Sequence, residues 1–235
     1  LLLCASPASL ASEPQTVTLA VPDHEPLTEG GLGIVTEMYR RIGYQVRELR
    51  RSPREADAVE TDGEVMRAAE PGQRFAELIA IPGALIEDDI VAFTAGHPAL
   101  LPRGWVELRG RSVCTRPGIA PVEEKLNAVS GVKLTFAAES AQAFRLLKAG
   151  RCDFAVLPRS AWIEAQAAGI GGLVEASPAL DHFTTVHLVA RRRGMLVPSL
   201  AAVLRQLRSE GFVARVQAEL DAAITEAEAE SSSTR

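Results

Sequence analysis

Basic charge, aromatic side chains and long apolar runs are all scarce in this 235-residue sequence, and each shortage excludes something. Lys and Arg number 25 against 30 Asp and Glu, for a net charge of −5. A nucleic-acid binder would present a basic face, and the local groups Arg50–Arg51 and Arg191–Arg193 read as solvated element ends. No stretch reaches the ~18 consecutive apolar residues of a membrane span. The histidines, His24, His97, His182 and His187, show no metal-ligand spacing. There is no Gly-x-Ser-x-Gly element, no dinucleotide-binding glycine spacing and no P-loop Lys-Ser/Thr. Gly30-Gly31-Leu32-Gly33 precedes a predicted helix and reads as a flexible turn rather than an anion cradle. No nucleophile, base and oxyanion donor assemble, so the sequence nominates no catalytic residue, no metal and no cofactor.

What is present is the composition of an ordinary globular protein, 47% hydrophobic and 23% charged. The opening run Leu1–Ala5, followed by small residues at Ser9 and Ala11, fits the end of a signal peptide cleaved near Ala11. That reading places the mature chain in the periplasm. Cys114 and Cys152 can pair in such an oxidising compartment, or can serve as small buried thiols in their strand-like runs.

Strand and helix patterns alternate along the chain. Thr16–Val21 reads as a strand, and Leu32, Val35, Met38 and Ile42 as one helix face stopped at Gly43. Tyr44–Leu49 is the next strand, and Ser52-Pro53-Arg54-Glu55 has the form of a capping box. Ile79–Leu85 and Ile90–Thr94 are apolar extended segments. After Gly96-His97-Pro98 come strands at Arg111–Thr115, Val132–Phe136 and Cys152–Leu157, with helices between and after them. Two more helical stripes, from Val197 and from Phe212, follow. The Ala/Glu-rich and Ser-rich end is expected to be disordered. Such alternation predicts α/β architecture with parallel sheets.

The order of TVTLAV, YRRIGYQV, TDGEVMR, FAELIAIPGALIEDDIVAF, GWVELRGRSVCTRPG, AGRCDFAVLP and LRQLRSEG resembles the type 2 periplasmic solute-binding proteins. It is similar to the branch that includes the amino-acid-binding proteins of ABC importers (family 3), as a divergent member. The resemblance spans about Thr16 to Leu220. It implies two α/β lobes, each a mostly parallel sheet flanked by helices, that close on a ligand about two crossover strands. Lobe 1 is expected to comprise residues 12–91 and 186–222, lobe 2 residues 92–185, and the disordered tail residues 223–235. Ile90–Thr94 and Val186–Ala190 would be the crossings.

Implied with it is a monomer that captures a small polar or anionic molecule for an importer permease or a membrane sensor. In amino-acid binders an Arg after the third strand pairs with the ligand carboxylate, and Arg67 lies at about that position, where its other partner would be Glu64 or Glu70 on a helix turn. Across the cleft, Thr115, Arg116 and Gly118 lie between a strand and a helix start, and Ser140 begins another helix. Two departures point away from a standard α-amino acid. The segment Val21–Thr28 lacks the ligand-sandwiching aromatics, and Pro158-Arg159 stands where an acid would hold the amino group. Glu25, Glu64 and Arg159 form a different polar set. Two other functions remain open on this architecture. One is a dehydratase-like enzyme using Glu64 or Glu139, and the other is the effector domain of a transcription regulator.

Overall fold

The computed structural model of the protein describes residues 15–22, 26–51, 61–68, 75–96 and 101–233. The leader, the capping box at Ser52–Glu55, His24, Glu25, Glu70 and His97 lie outside the described residues.

Short, β-branched and apolar segments become strands, and segments with helical stripes become helices. In the first half these are β1 (Gln15–Pro22), α1 (Pro26–Arg41), β2 (Tyr44–Arg51), β3 (Gly63–Ala68), β4 (Leu78–Ala80) and β5 (Glu87–Ala95). Next come β6 (Ser112–Thr115), α2 (Ala120–Ala128), β7 (Lys133–Phe136), α3 (Ser140–Lys148), β8 (Phe154–Pro158), α4 (Ala161–Ala167) and β9 (Leu173–Glu175). The chain closes with β10 (Asp181–Ala190), α5 (Val197–Ser209) and α6 (Phe212–Ser233).

The strands form two sheets joined through β10. In the first, β2, β1, β3 and β4 run one way and β10 runs against them. In the second, β7, β6, β8, β9 and the start of β10 run one way and β5 runs against them. Each sheet is thus mostly parallel, with a single reversed strand beside its neighbours. The fold is two-lobed α/β.

The crossings differ from the expectation in position. Glu87–Thr94 lies wholly in the second sheet and Val186–Ala190 wholly in the first. The chain actually changes sheet within Ile81–Ile86 and between Thr184 and Thr185. Here Ile81 and Leu85 donate to the carbonyls of His187 and Thr185, and Thr185 donates to Ile86. Continuous apolar runs mark strands buried on both faces, not the places where a strand leaves its sheet.

Two glycines allow close approach. A Cβ at Gly31 would lie 2.4 Å from the Met66 sulfur, so α1 packs directly on β3. Gly30 and Gly31 therefore sit inside α1, which starts at Pro26 rather than after the glycines. A Cβ at Gly63 would come 2.2 Å from the Leu188 carbonyl oxygen, so β3 can begin there only with glycine.

The tail expected to be disordered from residue 223 is instead helical through Ser233. Ala and Glu are strong helix formers, and Leu220, Ile224, Ala227 and Ser231 continue one buried stripe. Cys114 and Cys152 are bridged, with Cα atoms 5.8 Å apart, which ties β6 to the segment leading into β8.

Candidate ligand-binding cleft

A cavity of about 390 Å3 opens between the two sheets. Its walls are the carboxyl ends of β1, β3 and β8, the loop from β6 into α2, the start of α1, and Phe183 and Thr185 of β10. Ligands of open α/β sheets bind beyond the carboxyl ends of the strands, because there the loops can diverge and the helix starts point inward. The volume suits a small molecule.

From the first sheet, Glu64 and Arg67 reach the cavity together. The Arg67 Nε donates to Glu64 Oε2 at 2.8 Å and an Nη donates to the other oxygen, so the guanidinium fork is filled by the chain's own carboxylate. Arg67 also stacks over the Phe75 ring at 5.2 Å. Arg67 lies in β3 itself and not on a helix turn, although Glu64, the partner which that alternative named, is the one it pairs with. Burial pushes Glu64 above the usual carboxylate range, and the Arg67 charge and hydrogen bonds oppose it.

From the second sheet, Arg116, Gly118 and Glu123 line the opposite wall. Burial pulls Arg116 down to about 10, with Glu164 opposing, and the group stays a cation at neutral pH. The Gly118 N–H donates to Glu123 Oε1 at 2.7 Å, so this helix start also holds an internal carboxylate. Around these charges the wall is apolar: Val21, Leu27, Met66, Ile119 and Phe183.

The cavity therefore gathers Glu64, Arg67, Arg116 and Gly118 from the sequence-nominated set. Thr115 is fully buried and its hydroxyl donates to the Val156 carbonyl at 2.8 Å, which makes it part of the sheet core. Ser140 is fully buried at the start of α3, away from the cavity wall. Arg159 also turns away: it pairs with Glu175 at 3.1 Å and Glu228 at 2.9 Å and lines a second, acidic pocket. Glu228 lies in the part of α6 beyond residue 222, where the sequence led us to expect a disordered tail. Glu139 lies exposed near Arg145 and does not join Glu64. Sequence reasoning missed Glu123, Met66, Phe183 and Thr185. The spacing of Glu123 from the Gly118 turn was the one visible signal, an acid in the first turns of a helix. Among the described residues, no group of three His, Cys, Asp or Glu is placed to hold a metal ion.

No protein-family model matches the chain, and neither does any curated protein. Solved structures do match in shape. A mutant of ArgBP from T. maritima superposes with TM-score 0.73 at 18% identity, over 88% of this chain and 95% of that one. The GluR0 ligand-binding core, complexed with L-glutamate, superposes with TM-score 0.73 at 10% identity, over 88% and 98%. A histidine kinase sensor domain similar to periplasmic binding proteins gives 0.71 at 18% identity, over 88% and 96%. At these identities the likeness is one of fold. The chain has the type 2 periplasmic binding protein fold.

Proposed function

We propose that this chain is an exported solute-binding protein whose cleft captures a small organic anion. The observation that carries the reading is the meeting of Arg67 and Arg116, from opposite sheets, in one cavity at the carboxyl ends of the strands. A ligand spanning both guanidiniums would be held by both lobes, which is the differential contact that hinge closure requires. The apolar wall favours a ligand with a hydrocarbon body. Of the described lining acids, Glu64 serves Arg67 and Glu123 serves Gly118, so neither is set aside for an amino group. Like the matched structures, it is a binding module, serving an importer or a membrane sensor as a monomer. The Cys114–Cys152 bridge supports an oxidising compartment. No helix among the described residues is long and apolar enough to cross a membrane.

The test is thermal shift against amino acids, polyamines and mono- and dicarboxylates. A ligand at about a hundred times its Kd adds roughly 2.7 kcal/mol to the folded state. Carboxylates should raise Tm, Glu64→Gln should strengthen the effect by freeing the Arg67 fork, and Arg67→Ala should abolish it. If no carboxylate moves Tm in either the wild type or Glu64→Gln, the reading is wrong.

A further inference from the structure

Glu64 and Arg67 are three residues apart on a strand, where side chains alternate between faces with a period of two. A regular strand would point them to opposite sides. They meet because β3 carries an extra residue against β10. Val186 faces Arg67 and Leu188 faces Glu64, so two steps on β10 span three on β3. This is a β-bulge at Val65–Met66, and the single residue opposite it is His187.

His187 is fully buried. Its Nδ1 lies 2.8 Å from the Glu64 carbonyl oxygen and 3.1 Å from that of Val65. Carbonyls only accept, so Nδ1 carries the proton and donates to both. The Tyr39 hydroxyl then donates to Nε2 at 3.1 Å, and its ring packs edge-on at 5.5 Å between centroids. Both ring nitrogens are thereby used and the tautomer is set. Burial pulls the imidazole down to about 4, so it is neutral at pH 7.

We infer that His187 is a positioning residue for the cleft: its Nδ1–H clamps the β3 bulge that brings Glu64 and Arg67 onto one face. The clamp reaches the pair only through the backbone, and His187 itself does not line the cavity. Its bearing on ligand capture rests on the reading above, but the clamp itself is tested in ligand-free protein, so either can fail alone.

The experiment is 15N NMR of the whole chain, with the Arg67 Nε–H signal assigned by its loss in Arg67→Lys. The wild-type His187 ring should be protonated at Nδ1. His187→Asn, whose amide nitrogen falls near the Nδ1 position, should keep the Arg67 Nε–H protected. His187→Leu should speed its exchange roughly tenfold or more, the loss of about one charge-assisted hydrogen bond. Tyr39→Phe should keep the Arg67 signal while loosening the tautomer. A ring protonated at Nε2, or full protection in His187→Leu, overturns the inference. Should His187→Leu not fold, the wild-type tautomer and the Asn variant decide it.

Discussion

Asp88 and Asp62 are both buried carboxylates, but their surroundings act on them in opposite senses. Burial pushes Asp88 up to about 6, although the N–H groups of Ser160 and Asp89 donate to it. Its folded value lies above the unfolded one, so its contribution is present below about pH 4 and lost as pH rises through 6. At neutral pH the buried charge opposes folding by up to about 3 kcal/mol. Asp88→Asn should therefore raise Tm at pH 8 and change it little at pH 4. An equal effect at both pH values, in paired melts, would exclude this account. For Asp62, burial raises the value, but Arg193 and the Thr18 N–H outweigh it and hold the group below the usual range. Its stabilisation is present above its unfolded value and fades in acid. His187, neutral and buried, also loses stability as pH falls below its unfolded value near 6.5. Arg67 was legible as a cleft residue because its type and place announce it. His187 was not, since a lone buried histidine has no local signature until the register opposite it is known.

Between elements, the disulfide and the bulge do unequal amounts of what the sequence can reveal. The Cys114–Cys152 bridge closes a chain segment with a sequence separation of 38 residues. By loop-closure entropy it stabilises the fold by about 4 kcal/mol. Cys114→Ala/Cys152→Ala should lower the urea midpoint correspondingly with an unchanged or slightly larger m-value, and the wild type in reductant should follow it. Equal midpoints for oxidised and reduced protein would show that the bridge contributes nothing. Both cysteines could be read as a possible pair, but their proximity depends on β6 lying beside β8. Strand and helix order was legible because amphipathic period is local. The crossings were misplaced because apolarity marks the sheet interior, whereas the crossing at Ile81–Ile86 is defined by its hydrogen bonds to β10.

Across the whole molecule, α6 links elements of the two lobes. Near its start it packs on α1 and α5, and farther along on α4 and β9. Gln217 exchanges hydrogen bonds with the Glu87 backbone at the crossing, and Glu228, Glu230 and Ser231 contact Arg159, Gln166 and Gly172. Removing residues 222–235 deletes the buried Ile224 and Ala227 and uncovers the apolar surface they pack on, a loss on the order of 3 kcal/mol. It should also let the lobes open farther, read as a larger radius of gyration by X-ray scattering. A truncated protein with wild-type Tm and dimensions would assign α6 no such role.

What the sequence by itself determined is the succession of elements and the kinds of side chain near each turn, since propensity, capping and period act within a few residues. Which charges meet was decided only in three dimensions. His187 reaches carbonyls 122 and 123 residues away, and Arg159 is drawn from the cleft by an acid 69 residues on. Register, bulge and helix docking are properties of pairs of segments, and a hydrogen bond or ion pair exists only once both partners are placed.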